Sequence, residues 1–287
     1  MKGPKLPPIR RKLPAWVSPA LVVLELLALR RFEKRIPLRP VSDDTIVRNG
    51  RNLFAGALAA LAARLVEEPL TRRLTEEVGR RKWGLLKQRR LPPAFETLLA
   101  LALLDYTQFA WHGLTHRLPL LWRFHLVHHL DRDLDATTAL RFHFGEIVLS
   151  SGYRAAQIVV LGVAPLPLSL WQNLLLASRL FQHSNVALPE RWERRLALFV
   201  VTPRLHGLHH AADERLAGTN WSSGLTLWDR LHGTLYAGAA GAAGDTPAIG
   251  VPAYPSDRDV AIGSILALPF RPQRDDWSPP PRGRSPG

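Results

Sequence analysis

The sequence predicts an all-α fold, a membrane-embedded helical bundle with a cytosolic histidine-rich helical cap. Three observations predict it. Long apolar runs recur, hydrophobic residues reaching 46% of the 287. Basic residues flank those runs, and the formal net charge is +14. Most of the eleven histidines recur at helical spacing, close to the ends of apolar runs.

The elements follow in order. Residues 1–49 form a basic N-terminal segment with a first apolar helix, Ala15 to Leu29. In outline it resembles a signal peptide. No small-residue cleavage site follows, only Arg30, Arg31, Lys34 and Arg35, so it reads as a retained helix. A second apolar run covers Leu53 to Val66, and a third covers Ala94 to Trp111 and leads into His112. A perpendicular span needs about 20 apolar residues, so the first two runs are short. They read as tilted, interfacial, or lengthened by snorkelling arginines, with core helices of a soluble all-α protein as the alternative. Ile147 to Leu180 is apolar but broken by Pro165 and Pro167. Helices rarely pass two such prolines intact, which predicts a helical hairpin. Residues 184 to 236 are mixed in character, Ala237 to Gly244 reads as a flexible loop, and Ile262 to Phe270 is a short apolar element. Residues 50–270 are taken as one catalytic domain, and the Pro/Arg-rich stretch 271–287 as a disordered tail.

Composition narrows the chemistry. The chain has no cysteine, which removes thiolate ligands, disulfides, thiol nucleophiles and cysteine-borne haem or iron–sulfur groups. Any metal is held by nitrogen and oxygen. An imidazole-rich set suits iron, zinc, copper or nickel better than magnesium or calcium. The basic residues flank apolar runs, the pattern of a membrane protein, rather than forming one nucleic-acid-binding face. No H-E-x-x-H signature marks a metalloprotease.

His112, His116, His125, His128 and His129 lie within 18 residues, and His206, His209 and His210 follow later. The patterns are H-x-x-x-H, H-x-x-H-H and H-x-x-H-H. Positions four apart share a helix face, which pairs His112 with His116, His125 with His129, and His206 with His210. His128 and His209 sit about 100 degrees from the histidine that follows each of them. Each H-x-x-H-H block can therefore serve two ions. So many convergent imidazoles would repel one another if protonated, and neutral imidazole is the commonest metal ligand. The spacing predicts a metal centre of two ions.

The motifs resemble those of the fatty acid hydroxylase / sterol desaturase superfamily of integral-membrane, non-haem di-iron oxygenases. The resemblance rests on Asp105-Tyr106 with His112-x-x-x-His116, then Leu121-Trp122-x-Phe124-His125-x-x-His128-His129. It continues through Thr137-Thr138-Ala139-x-Arg141-x-His143-x-x-Glu146 and Phe181-Gln182-His183-Ser184-Asn185. It ends with Thr202-Pro203-x-x-His206-x-x-His209-His210, Asn220-Trp221 and Leu227-Trp228-Asp229-Arg230-Leu231, and covers residues 50 to 270. It implies that the eight block histidines are metal ligands, with His183 as a ninth. His143 and Glu146 are implied as a further ligand or as groups that orient one. Asp131, Asp135, Asp213 and Asp229 are candidates for the same orienting role, although each reads individually as a solvated loop carboxylate. Asp105, an ionisable group in an apolar run, is either functional or half of an interhelical hydrogen bond.

Two positions depart from the family pattern. His232 stands where phenylalanine is usual and reads as a packing or surface residue. Gly113 stands where arginine is frequent, which suggests that the first motif lies near a helix end.

The resemblance implies two iron ions, with zinc able to occupy the same ligands in purified protein. It implies a membrane lipid substrate, O2 and an external electron donor, a reductase with ferredoxin or cytochrome. The histidine site is expected at the cytoplasmic face of a bilayer. Strongly basic Arg64 to Arg90 and the histidine blocks should both face the cytosol, yet one apolar run separates them. Either that run is re-entrant or a neighbouring one skims the interface. A zinc-dependent membrane hydrolase or isomerase, or a non-catalytic membrane metal-binding protein, could use the same ligands.

Overall fold

A computed structural model describes residues 17–41, 45–238 and 246–278. The extreme N-terminal basic segment, most of the Gly/Ala-rich loop and the end of the tail lie outside the described residues. The described chain is helical, with no β-strand beyond isolated bridges such as Pro37 with Val186 and Ala211 with Ile249.

The apolar runs become the long helices. They are α1 (Val17–Arg35), α2 (Thr45–Ala62), α3 (Glu68–Arg81), α4 (Pro93–Arg117) and α5 (Pro119–His129). A π-helical turn, Ala63–Glu67, links α2 to α3. The Pro-broken region forms the expected hairpin, α6 (Phe144–Leu161) and α7 (Pro165–His183). Short helices follow: α8 (Glu190–Leu196), α9 (Pro203–His209), α10 (Glu214–Ala217), α11 (Leu227–His232) and α12 (Ile262–Ala267).

Proline sets the boundaries that matter for the site. Leu118 is extended, with φ −97° and ψ 117°, because the residue before a proline is driven out of the helical region. Pro119 then starts α5 at a position where its missing N–H costs nothing. The chain thus turns sharply between His116 and His125. Gly162 makes the turn between α6 and α7 at φ 78°, and the backbone at Gly84 packs directly against it. A Cβ on Gly84 would lie 2.2 Å from the Gly162 nitrogen.

Helices α3, α4, α6 and α7 bury one apolar cluster, with Val78, Leu104, Ile158, Trp171 and Leu175 at its centre. A second cluster joins α2 and α5 to the C-terminal segment through Ala55, Leu126, Leu130, Tyr254 and Ile265. Chain beyond residue 270 continues this packing. Trp122 Nε1 donates to Asp276 at 2.6 Å, and Trp122 stacks on Trp277.

Among the described residues no helix is long and apolar enough to cross a membrane. The outer faces of several helices are nevertheless apolar. Leu21, Val23, Leu24 and Leu27 on α1 are exposed, as are Ile46, Val47, Leu53 and Leu61 on α2, and Phe95 and Leu98 on α4.

Candidate metal centre

Four helices end at one place. His112 and His116 occupy the last turns of α4, and His125, His128 and His129 the last turn of α5. His183 closes α7. His206 and His209 lie in α9, with His210 as its C-cap. These nine imidazoles form two groups. His112, His116, His125, His129 and His209 make the first, and His128, His183, His206 and His210 the second. Within each group the candidate ligand atoms lie within 4.8 Å of one another. The pairs four apart each stay in one group, while His128 and His209 cross to the other group from their nearest block partners.

The residues fit metal ions on two grounds. The Nε2 atoms of His116, His125, His129 and His209 are buried without hydrogen-bond partners, and such orphaned groups are rare in folded proteins. In the second group, Nε2 of His183 lies 3.0 Å from that of His128 and 2.9 Å from that of His206. Imidazole nitrogens bind first-row metals at about 2.0–2.1 Å, which brings ligands of one ion to about this separation. Burial, then the neighbouring imidazoles, holds His128, His129, His206 and His210 well below the usual histidine range. Burial brings His209 down to about 3. These five are therefore neutral near pH 7, the protonation state in which imidazole ligates.

In four of the nine the other ring nitrogen is fixed by a backbone carbonyl. His112 Nδ1 faces the Trp221 carbonyl at 2.7 Å, His128 Nδ1 the Arg141 carbonyl at 3.2 Å, and His209 Nδ1 the Thr219 carbonyl at 2.8 Å. His183 Nδ1 faces the Arg179 carbonyl at 2.7 Å. One carboxylate takes this role: Glu146 Oε1 accepts from His125 Nδ1 at 3.0 Å. Contacts of this kind fix the tautomer and ring orientation of a ligand.

The candidate aspartates hold the frame instead. Asp131 and Asp135 are buried, contrary to the solvated loop reading, because Arg48 of α2 reaches both of them. Asn52 and Thr138 also donate to Asp131, at 2.8 and 2.6 Å. Asp229 is buried too, accepting from the backbone N–H of Trp221 and Ser222 at 2.9 and 3.0 Å. It thereby positions the carbonyl that orients His112. Asp213 is exposed and caps α10. Asp105 accepts from Trp228 Nε1 at 2.7 Å and from the Leu225 N–H, a tie between elements.

His143 belongs to neither group. It caps α6, accepting from the Gly145 N–H at 2.9 Å, with Nε2 toward the Leu266 carbonyl. His232 is exposed and packs on Phe109, ring centroids 4.9 Å apart. Gly113 has a local reason: a Cβ there would lie 3.2 Å from the Trp221 ring.

A narrow cavity of about 20 Å3 meets the histidines. Its walls include Gln108, Trp111, Phe142, Arg179 and Gln182 beside His112, His128 and His206. Sequence reasoning gave none of these five wall residues a role, and named Gln182 only within the motif around His183. Arg179 left a signal, a cation inside an otherwise apolar run.

The family model for fatty acid hydroxylases matches residues 97–234. The chain is 32% identical over 180 residues to an ornithine lipid hydroxylase of Rhizobium tropici, covering 62% of this chain and 49% of that protein. It is 33% identical over 142 residues to a cholesterol 25-hydroxylase-like protein of Danio rerio, covering 47% and 53%. It is 26% identical over 133 residues to an alkylglycerol monooxygenase of Xenopus tropicalis, covering 45% and 28%. The chain thus spans about half the length, or less, of these relatives. No solved structure matches the chain.

Proposed function

We propose that this protein, whose residues 97–234 match the family model for fatty acid hydroxylases, is a membrane-bound oxidoreductase that hydroxylates or desaturates a lipid C–H bond. The observation that carries the reading is the pair of buried histidine groups, built without an anionic ligand. His112, His116, His125, His129 and His209 would hold one iron, and His128, His183, His206 and His210 the other. Iron held there would supply O2 activation, with electrons from an external reductase and its ferredoxin or cytochrome.

The protein's own part is positioning and exclusion. Glu146 and the carbonyls of Trp221, Arg141 and Thr219 keep the ligand rings oriented. Trp111 and Phe142 line the cavity with apolar surface and limit water near a reactive centre. The exposed apolar faces of α1, α2 and the start of α4 suit insertion into one leaflet, from which a lipid could reach the cavity. Exposed apolar side chains in such number suit a protein that meets a bilayer. The basic stretch from Arg64 to Arg90 supports a cytoplasmic position for the histidine site.

The test is lipid analysis of a host with and without the chain under isotopically heavy O2. The expected product is a lipid carrying the heavy oxygen or a new double bond, and it should vanish in His128→Ala. Turnover that proceeds without O2 would favour a zinc hydrolase or isomerase on the same nitrogen ligands.

A further inference from the structure

Arg179 is a half-buried cation on α7, one turn before His183. Its guanidinium makes no hydrogen bond or ion pair with any described residue. Two carboxylates, Glu146 and Glu67, act on its charge without bonding to it. Glu67 accepts from Gln172 at 3.3 Å and lies 3.8 Å from Arg154, while Glu146 accepts from His125 through Oε1 and keeps Oε2 buried without a partner. Its charged end lies over the face of Phe142, 5.2 Å from the ring centroid. A cation–π contact leaves five N–H donors without acceptors.

Arg179 also lines the cavity that meets His112, His125, His128, His183 and His206. A fixed positive charge beside a cation-binding site is repelled by whatever the site holds. An arrangement of this kind is compensated by an anion between the two. A guanidinium matches carboxylate and phosphate oxygens in a bidentate fork.

We propose that Arg179 binds an anionic oxygen of the lipid, a carboxylate or a phosphate, so that the oxidised C–H bond lies near the polar end of the substrate. This deepens the lipid-oxygenase reading and rests on it for the word substrate. Oxidation far along an acyl chain would place the anion outside the cavity, where Arg179 could not reach it.

The experiment is calorimetric titration of the full-length, metal-loaded protein in nanodiscs with dodecanoate, dodecyl phosphate and dodecanol. The wild type is expected to bind one anionic amphiphile at least about tenfold more tightly than the alcohol. Whichever of the two binds better identifies the oxyanion. Arg179→Gln should weaken that anion about ten- to a hundredfold, the size of a lost charge-assisted hydrogen bond, and leave dodecanol and metal content unchanged. Arg179→Lys keeps the charge without the fork and should show intermediate selectivity. If the glutamine variant loses metal, the lysine variant decides, and unchanged selectivity there overturns the assignment. Equal binding of alcohol and anions by the wild type also overturns it, as does equal loss of all three ligands in Arg179→Gln. Intact anion selectivity in a protein that oxidises no lipid would instead leave the subsite standing and overturn the oxygenase reading.

Discussion

Replacing Glu146 by leucine should weaken one metal site and spare the other. Glu146 is buried and accepts from His125 Nδ1 at 3.0 Å, while His125 Nε2 is buried without a partner. The carboxylate thus holds the proton on Nδ1 and frees Nε2 for a metal. Groups in this position typically contribute about ten- to a hundredfold in metal affinity, or about 1.4–2.7 kcal/mol. The isosteric Glu146→Gln keeps an acceptor oxygen but loses the charge. Charged hydrogen bonds exceed neutral ones by about 1 kcal/mol, so its loss should be about fivefold. His125 belongs to the group of five, and no member of the group of four touches Glu146 in a hydrogen bond. Chelator competition followed by metal analysis should show one ion released early from the leucine variant and one retained as in the wild type. Equal weakening of both sites, or wild-type retention of both, would refute the orienting role.

Arg48→Met should destabilise the fold by about 3–5 kcal/mol, the usual cost of breaking a buried ion pair, because Asp131 loses its ion pair with Arg48 and Asp135 is left with Arg30; chemical denaturation reads this directly. Gly113→Ala adds a Cβ 3.2 Å from Trp221. The overpacking, about 1–3 kcal/mol, should outweigh the gain of about 1 kcal/mol in helix propensity and appear as a lowered melting temperature. His143→Ala should lose about 1 kcal/mol of capping energy, yet retain two metal ions per chain by elemental analysis.

The apolar runs and the histidine spacings are local patterns, and they were readable. The run from Ala94 became α4 and delivered His112 and His116 on one face, as a four-residue interval requires. Pro165 and Pro167 divided α6 from α7. The division of nine imidazoles between two groups was not readable, because it depends on how α9 meets α5. The aspartates show the same limit. Asp131 and Arg48 are 83 positions apart, and Asp135 and Arg30 are 105 apart. Nothing in the loop Leu130–Arg141 indicates that α1 and α2 will neutralise it. His143 was ambiguous for a related reason. A histidine before a helix can ligate or cap, and the Leu266 carbonyl opposite its Nε2 comes from 123 residues further on.

The direction of the helices adds a physical reason for a site made of imidazole alone. Each of the four that supply ligands does so from its C-terminal turn, at His116, His129, His183 and His209. A helix C-terminus carries about half a negative charge in its unpaired carbonyls. Four such ends converge on the two groups, and several of the carbonyls around the site also hold imidazole N–H protons. Cations are favoured there although no carboxylate belongs to either group. Arg179 lies one turn before His183 on α7 and contributes charge of the opposite sign. The helix ends would therefore favour metal from one side while Arg179 would favour an anion from the cavity side. On the proposed reading, that polarity would lead an anionic lipid toward the histidines without giving it a place among their ligands.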